Sequence, residues 1–380
     1  MDEQEQDGGK IKKEIKLINS GAFGCIYSPT LTCKGKVGSS KYITKIQKSE
    51  RSIINELRVS EKIRKIGGYV KFFAPVLKHC IVKIQKDRVK DLKKCELFEK
   101  DSEKTIEESS YVSMKTRYVG NKDMRAYFFA ALNSNDFLVK IFRSHTHILK
   151  GIQKLFANNI VHYDLKYNNI IFDETRKSPI MIDFGQSWLT NELETEDELS
   201  SAFFVFDQYD YWCIDILICS YIIQKVGFQR AKNTLVEEAE INYIIDVLIY
   251  GKEREQQKTQ KRIINDLFLY NILQNPQKMS NFKSVVLNYT KPFINTRTWW
   301  ELYEDLVKYT STWDCYSLAV IYLNNFDDLF LSNSDYYKNV LEKSEHLRKY
   351  VEILEDVLYC SPKERPSAQI LLGKFESIGI

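Results

Sequence analysis

The spacing of apolar and polar positions divides the chain into a strand-rich first part and a helical remainder. Across residues 15–46, short apolar runs bracket a turn that contains Gly21 and Gly24, which is typical of hairpin strands. Residues 52–66 carry isoleucine and leucine at helical spacing among charged side chains, and a Gly-Gly pair follows directly. The pattern predicts one amphipathic helix beside several strands.

The stretch 83–110 is rich in Lys, Asp and Glu. Such charge is typical of a solvated surface. We expect a weak strand followed by a solvated loop, which ends at the apolar run 111–114.

Helical spacing dominates after Gly120. Residues 124–132 and 137–158 predict helices, the second with a stripe of isoleucine and leucine on one face. Two short apolar segments, 169–172 and 180–182, are separated by turn-forming residues and predict a hairpin. A second, mainly helical lobe is expected to begin near residue 120.

Length and composition agree with a globular chain in two parts. The 380 residues exceed what one core usually holds, and 44% hydrophobic with 28% charged residues is a globular balance. We assign residues 1–14 to a flexible polar terminus, 15–119 to a small lobe and 120–380 to a large lobe. The formal net charge of +4 is too small for a dedicated nucleic-acid binder. Nucleic acid is therefore not an expected partner.

Targeting, membrane and metal-binding signals are weak. The longest apolar stretches are too short for a bilayer span, and residues 1–14 lack the apolar core of a signal peptide. We expect an intracellular, cytoplasmic location and no membrane span. The eight cysteines include no Cys-x-x-Cys pair, and the five histidines do not flank them at metal-ligand spacing. Reduced structural thiols are the expectation.

The strongest chemical signal is the run HYDLKYNN at residues 162–169, followed by IDFG at residues 182–185. Asp164, Lys166 and Asn169 stand two, four and seven positions after the histidine. The two runs resemble the catalytic loop and the metal-binding turn of eukaryotic-type protein kinases. An Asp-Phe-Gly match alone would be a chance turn, but chance explains the two motifs in this order poorly.

This resemblance implies a role for each polar side chain of the two motifs. Asp164 would accept the proton of the substrate hydroxyl, and Lys166 would steady the transferring phosphoryl group. Asn169 and Asp183 would hold Mg²⁺ through oxygen ligands, with Mn²⁺ as a substitute. ATP, magnesium and protein substrates are thus the implied ligands. Serine or threonine is the implied acceptor, because tyrosine-specific relatives usually place Arg or Ala at the position of Lys166.

The glycine-bearing turn of the first hairpin resembles the kinase loop that covers the phosphates. By this resemblance Ile18, Asn19, Gly21, Gly24 and Ile26 would contact the nucleotide, with Asn19 standing where the family has its first glycine. Glycine lets backbone N–H groups approach a phosphate, and asparagine tolerates unusual φ values better than most residues. Two glycines at this spacing are by themselves more often an ordinary hairpin, so the order of the motifs carries the assignment.

Lys45, in an apolar strand, resembles the lysine that grips the α- and β-phosphates. Its ion-pair partner would be Glu56 near the start of the next helix, with Glu61 as the competing candidate. Residues 116–119 would present backbone groups to adenine, centred on Tyr118. A surface lysine on a strand and a helix with several carboxylates are also common without any nucleotide.

Two later motifs extend the resemblance over nearly the whole chain. Asp314, in an apolar helix, resembles the buried aspartate that ties down the backbone of the catalytic loop. Arg365 resembles the arginine that pairs with the carboxylate closing the activation segment. That segment, residues 186–215, lacks Ala-Pro-Glu, and Asp215 is the best equivalent. Neither motif persuades alone, but their order matches the family.

Other features depart from the family's pattern. Tyr163 replaces the arginine that usually receives a phosphorylated activation segment, and residues 192–198 are acidic enough to repel an added phosphate. Constitutive activity is the better hypothesis. Residues 216–313 form an insertion with predicted helices at 235–250 and 263–273, which would either pack on the large lobe or dock partners. Packing is favoured because apolar helices usually bury themselves.

The complete pattern predicts an α+β, bilobal protein kinase-like fold with a strand-rich N-lobe, a helical C-lobe and ATP between them. The abundance of Lys, Ile, Asn and Tyr, together with Asn19, is similar to kinases of large nucleocytoplasmic DNA viruses, which implies action in a host cell or virus particle. A pseudokinase scaffold is one alternative, favoured by Asn19, Tyr163 and the insertion. A small-molecule phosphotransferase is the other. The substrate protein and the oligomeric state stay open.

Overall fold

The structure of the chain is a computed structural model. It describes residues 15–21, 24–30, 33, 38–48, 51–83, 94–99, 101–130, 134–191, 193, 195–204, 209, 211–250, 276–332 and 343–379. The chain divides into two compact units: unit 1 is residues 1–64 with 74–118, and unit 2 is residues 65–73 with 119–380. Strands dominate the first unit and helices the second.

Unit 1 contains a five-stranded antiparallel sheet with the strand order β1-β2-β3-β5-β4. The strands are β1 (Lys16–Gly21), β2 (Gly24–Ser28), β3 (Tyr42–Lys48), β4 (Lys78–Lys83) and β5 (Ser110–Arg117). The helices are α1 (Arg51–Lys65), which follows β3, and two short helices before β5, α2 (Glu96–Glu99) and α3 (Glu103–Glu108). A sheet here and helices in the rest of the chain confirm the mixed α+β class.

The two faces of this sheet bury different apolar clusters. Tyr111 belongs to a cluster with the buried residues Ile15, Cys25, Tyr27, Ile46, Val82, Cys95, Phe98 and Ile106. Val112 belongs to the cluster on the other face, with Ile53, Val76, Met114 and the partly buried Leu57. The two residues face opposite ways because side chains alternate along a strand. Helix α1, which supplies Ile53 and Leu57, therefore packs on the Val112 face.

The charged stretch before β5 folds differently from its prediction. Its described part contains α2 and α3, in which Phe98 and Ile106 are fully buried. The Ser102 side chain caps α3 by accepting a hydrogen bond from the backbone N–H of Thr105. The expectation of a solvated loop is wrong at these helices, because a few apolar positions were enough to bury one side of a strongly charged segment.

Four of the eight cysteines form disulfides in unit 1. Cys25 is bonded to Cys95, which joins β2 to the start of α2, and Cys33 is bonded to Cys80, which joins the β2–β3 connection to β4. The expectation of reduced thiols is wrong for these four residues. The free cysteines all lie in unit 2 and are Cys213, Cys219, Cys315 and Cys360.

Unit 2 is mostly helical. Its helices are α4 (Met124–Phe129), α5 (Ser134–Phe156), α6 (Glu196–Ala202), α7 (Ile214–Tyr221), α8 (Phe228–Ala231), α9 (Glu238–Tyr250), α10 (Pro276–Thr290), α11 (Trp299–Leu306), α12 (Trp313–Ser332), α13 (Glu345–Tyr359) and α14 (Ala368–Ser377). Two antiparallel pairs join β6 (Ile160–Val161) to β9 (Trp188–Leu189) and β7 (Ile170–Asp173) to β8 (Ser178–Met181). The second pair confirms the predicted hairpin. No helix in the described part of the chain combines the length and the apolar content needed to cross a membrane.

Helix α5 leads directly into the strand that precedes the HYDLKYNN run. Its buried stripe consists of Ile141, Ile148, Leu149, Ile152 and Leu155, which confirms the helix predicted at 137–158. The chain leaves the helix through Asn159, whose φ of 58° lies in the left-handed region that asparagine tolerates better than most residues. Strand β6 follows at once, so the end of a well-packed helix fixes the start of the candidate catalytic loop.

The insertion at 216–313 is largely helical where it is described. The helix predicted at 235–250 is present as α9, whereas the one predicted at 263–273 lies outside the described residues. Ile244 of α9, Val286 of α10 and Trp299 of α11 are fully buried. This burial supports the interpretation that the described part of the insertion packs within unit 2.

Candidate catalytic site

The loop at residues 162–169 is held by a buried carboxylate from a distant part of the chain. Asp314, in the first turn of α12, accepts the backbone N–H of His162 at 2.8 Å and the backbone N–H of Tyr163 at 2.9 Å. Burial raises the pKa of Asp314, an effect that His162 and the two N–H donors partly offset. Tyr163 has a φ of 68°, which is costly for a bulky residue. These contacts hold the loop in a conformation that it would not adopt alone.

Asp164, the predicted catalytic base, is surrounded by hydrogen-bond donors. The Lys166 Nζ atom lies 3.1 Å from Oδ1 and 2.9 Å from Oδ2, and the Asn169 Nδ2 atom lies 3.0 Å from Oδ2. Asn169 also donates to the backbone carbonyl of Asp164 at 2.8 Å. The structure therefore brings three of the predicted site residues into direct contact.

Asp183, the fourth predicted residue of this group, is positioned by the β7–β8 hairpin. Ile170 pairs with Met181 in that hairpin, and the backbone N–H of Ile182 donates to the Asn169 carbonyl at 2.9 Å. This register brings the backbone just before Asp183 against Asn169. Asp183 has a φ of 61°, a second strained position beside the loop.

His162 joins the loop to the turn that carries Asp183. Its Nε2 atom lies 3.1 Å from the Ile182 carbonyl, and its ring centroid lies 5.0 Å from that of Phe184. Phe184 is buried and makes an edge-on contact with Phe73, also in unit 2. The histidine of the motif thus acts as a structural connector.

No group of three or more His, Cys, Asp or Glu side chains that could hold a metal ion occurs among the described residues. The predicted metal set is smaller, one carboxylate and one amide. Because the Asn169 Nδ2 atom points to Asp164, its Oδ1 atom is the side of the amide left to act as a ligand. One amide oxygen and one carboxylate suit Mg²⁺, which takes few protein ligands and completes its shell with water and phosphate oxygens.

Unit 1 positions three of the other predicted residues, Asn19, Ile26 and Lys45, along one row of its sheet. The strand register pairs Asn19 with Ile26, Ile26 with Lys45, and Lys45 with Met114. Residues paired across antiparallel strands share a face of the sheet. Lys45 is therefore on the Met114 face, against which α1 packs. That arrangement explains how Lys45 reaches Glu56, at an Nζ–Oε2 distance of 3.1 Å.

The Lys45–Glu56 pair is well shielded from solvent. The two side chains are 12% and 5% exposed, whereas the competing candidate Glu61 is exposed. Glu56 is thus the carboxylate that holds Lys45, as the sequence favours. A pair with so little exposure restricts the lysine more than a surface pair does.

The glycine-bearing turn combines exposed and sterically restricted positions. Ile18 and Asn19 are exposed, and the Asn19 Oδ1 atom accepts the backbone N–H of Ser20 at 2.9 Å. A Cβ atom at Gly24 would lie 2.7 Å from the Ile46 carbonyl oxygen, and φ is 147° there, so glycine is required for the fold itself. Gly21 pairs with Gly24 in the strand register.

Tyr118 is the last residue of unit 1. Its backbone N–H donates to the Lys41 carbonyl at 3.1 Å, and the residue is 36% exposed. An adenine contact by this residue stays a prediction.

Arg365 and Asp215 form the most deeply buried ion pair among the described residues. The two guanidinium N–H groups lie 2.9 and 2.8 Å from the two carboxylate oxygens, and the side chains are 1% and 0% exposed. The Trp313 indole N–H donates to Asp215 at 3.0 Å. The predicted pairing is confirmed, and a bidentate pair of this kind fixes the end of the segment that follows Asp183.

Tyr163 is the centre of an aromatic cluster that the sequence did not predict. Its ring lies 5.0 Å from that of Trp212 and between 5.7 and 6.4 Å from those of Trp188, Phe203 and Trp313. All five residues are buried. Through this cluster, Tyr163 makes apolar contacts to residues of the 186–215 segment.

Sequence reasoning also missed Tyr209. Its hydroxyl donates to the Oδ1 atom of Asp164 at 2.6 Å, the shortest contact of that carboxylate. The tyrosine lies in the predicted activation segment without any motif around it, so only the fold shows the contact.

Unit 2 thus offers a carboxylate with hydroxyl and ammonium donors and two oxygen ligands for a cation. Unit 1, taken by itself, offers a shielded lysine. Such groups can orient a hydroxyl, accept its proton and neutralise phosphate charge. Neither a comparison with protein-family models nor a search of curated proteins finds any match to this chain.

Proposed function

We propose that the chain is an ATP- and magnesium-dependent protein kinase that phosphorylates serine or threonine. The observation that carries this proposal is the set of contacts around Asp164, which receives hydrogen bonds from Lys166 and Asn169 on a loop held by a buried aspartate. Phosphoryl transfer needs an oriented hydroxyl and cations near the phosphates more than it needs covalent catalysis. These are the groups that the loop provides.

Asp164 is the proposed general base. A base must lie within hydrogen-bond reach of the proton it accepts, and the carboxylate already binds one hydroxyl, that of Tyr209, at 2.6 Å. Lys166 lies between 2.9 and 3.1 Å from the same carboxylate and can turn its ammonium toward a phosphoryl oxygen. The pair then orients the acceptor and balances the charge of the transferred group.

Asn169 and Asp183 are the proposed ligands of magnesium, with manganese as a substitute. The ion would supply positive charge to the phosphate oxygens and align them. Asn169 has a second role in this chain, since its Nδ2 atom restrains the base through two contacts. The strained φ of Asp183 supports a functional role for that residue, because strain of this kind clusters at active sites.

Lys45 is the proposed ligand of the α- and β-phosphates of the same nucleotide. Its ion pair with Glu56 holds the ammonium in one place. Asn19 and Ile26 lie on the same sheet row as Lys45, so they are the proposed residues of unit 1 next to the nucleotide. Shared use of one ATP by Lys45 and Asp183 stays a prediction.

Transfer of labelled phosphate from ATP to a generic basic protein tests this function. The wild-type chain with magnesium is expected to label serine and threonine, and Asp164→Asn to lower the rate by about 10²–10⁴-fold, the usual contribution of a general base. Glu174→Gln, an exposed carboxylate on the β7–β8 turn, is the matched control and should keep the wild-type rate.

The same assay separates the two alternatives. A chain that binds ATP but transfers no phosphate would be a scaffold, and one that labels small metabolites but no protein would be a small-molecule phosphotransferase. Either result would contradict the proposal.

A further inference from the structure

A tyrosine of this chain occupies the place where a base would hold its substrate hydroxyl. Tyr209 donates its phenol O–H to the Oδ1 atom of Asp164 at 2.6 Å. General-base catalysis requires a heavy-atom separation of roughly 2.6–3.2 Å between the base and the group that loses its proton. Among the described residues, Tyr209 supplies the one hydroxyl bonded to this carboxylate.

The phenol cannot share the carboxylate with an external hydroxyl unless another donor leaves. A carboxylate offers about four lone-pair sites on its two oxygens. In Asp164 these meet Lys166 and Tyr209 at Oδ1, and Lys166 and Asn169 at Oδ2. Lys166 has another proposed partner once nucleotide is bound, and the Asn169 Nδ2 atom keeps its contact with Oδ2, whereas Tyr209 has the chemistry of a phosphate acceptor.

The ring of Tyr209 is held by the catalytic loop itself. It packs edge-on against Trp212 at a centroid distance of 5.0 Å, and the Trp212 indole N–H donates to the backbone carbonyl of Tyr163 at 3.1 Å. Tyr163 directly precedes Asp164 in the chain. The phenol and the base are thus fixed to the same short stretch of backbone, which keeps the effective concentration of this hydroxyl high.

We infer that Tyr209 is an intramolecular phosphate acceptor, an inference that rests on the proposed kinase function. The phenol oxygen attacks the γ-phosphorus of bound Mg·ATP, and its proton passes to Asp164. The bond between the γ-phosphorus and the bridging oxygen breaks, and ADP leaves with that electron pair. The products are ADP and a phosphotyrosine ester at position 209.

The phosphorylated side chain of Tyr209 cannot stay in the position that the phenol occupied beside Asp164. Phosphotyrosine carries a charge of about −1.5 to −2, and it would lie next to the Asp164 carboxylate. Like charges at that distance repel each other, so the modified side chain leaves the base. The reaction therefore stops at one phosphate per chain, and it vacates the Oδ1 position for an external hydroxyl.

Mass spectrometry of the full-length chain after incubation with Mg·ATP tests the inference. Fragment ions of peptides covering residues 203–216 locate any phosphate on Tyr209 or on its neighbour Tyr211, which is 8% exposed. Tyr209→Phe should remove the phosphotyrosine and Tyr211→Phe should leave it in place, which makes the second variant the matched control. Asp164→Asn should lower the rate of Tyr209 modification by about 10²–10⁴-fold.

Two further measurements distinguish an intramolecular reaction from other outcomes. The first-order rate constant for Tyr209 should not change over about a 100-fold dilution of the chain, because the acceptor is already in place. A rate that rises with chain concentration would overturn the inference. Labelling of a generic basic protein, measured in the same tube, shows whether the chain is a kinase at all.

The outcomes are distinguishable. Asp164-dependent labelling of the generic protein with no phosphate on Tyr209 overturns this inference and leaves the proposed function standing. No labelling of either acceptor overturns both. A Tyr209 phosphate that approaches one per chain, is insensitive to dilution and is lost in Asp164→Asn supports both.

Discussion

The two units stabilise their polar site residues in different ways. In unit 1, Lys45 and Glu56 are only 11 positions apart, and a strand register with a following helix brings them together. In unit 2, the loop at residues 162–169 depends on Asp314, which lies 152 positions from His162. The first arrangement is local and the second depends on the complete fold, so a single lost contact should damage unit 2 more.

The largest expected effect is that of Arg365→Ala. It leaves Asp215 buried without its charged partner, and breaking a buried pair in this way costs about 3–5 kcal/mol of the free energy of unfolding. Denaturant unfolding measures it. Arg348→Ala, on the exposed face of α13, is the control and should change stability by less than about 0.5 kcal/mol. Equal stability of both variants would show that the buried pair does not matter for unit 2.

A smaller effect is expected in unit 1 from Cys95→Ser. Loss of the Cys25–Cys95 disulfide, which spans 70 positions, should lower the free energy of unfolding by about 2–4 kcal/mol, since the unfolded chain gains freedom. Cys360→Ser, at a free cysteine of unit 2, is the control. A wild-type chain that loses no stability on treatment with a thiol reductant would contradict the disulfide.

These disulfides also bear on the expected cellular location of the protein. Disulfides persist in oxidising environments and are rare in the reducing cytosol. The bonds at Cys25 and Cys33 therefore weigh against the cytoplasmic expectation.

The smallest effect on activity is expected when a phosphatase removes phosphate groups from the chain. The aromatic cluster around Tyr163 anchors the 186–215 segment without charge, so phosphatase treatment of the Tyr209→Phe variant, which cannot carry the inferred phosphate, should change its transfer rate by less than about twofold. A loss greater than about tenfold would mean that a phosphate on the segment maintains activity despite the missing arginine.

The division between local and distant contacts also separates the features that the sequence could predict from those that it could not. Periodicity located α5 and the β7–β8 hairpin, and a resemblance to kinases selected Glu56 for Lys45 and Asp215 for Arg365. These features depend on local pattern or on motif order.

Other features depend on contacts between distant positions that carry no local signal. Eight cysteines allow 105 complete pairings, so the partner of Cys25 could not be deduced. The many charged residues around Phe98 obscured the apolar pattern of the helices there. The contact of Tyr209 with Asp164 depends on how a segment with no recognisable motif folds.

The central proposal is that the chain binds Mg·ATP, with Lys45 as a ligand of its phosphates and Asp183 as a ligand of the magnesium ion. Titration with ATP, with and without magnesium, tests it in three variants: Lys45→Met, Asp183→Asn and the control Lys115→Met. Lys115 pairs with Thr44 on β3, next to Lys45 in the strand, and so faces the opposite side of the sheet.

The account predicts that Lys45→Met weakens ATP binding about 10–100-fold whether or not magnesium is present, because a charged hydrogen bond to phosphate contributes about 1.5–3 kcal/mol. Asp183→Asn should weaken binding only when magnesium is present, and Lys115→Met should bind as the wild type does. Wild-type affinity in both Lys45→Met and Asp183→Asn would contradict the claim.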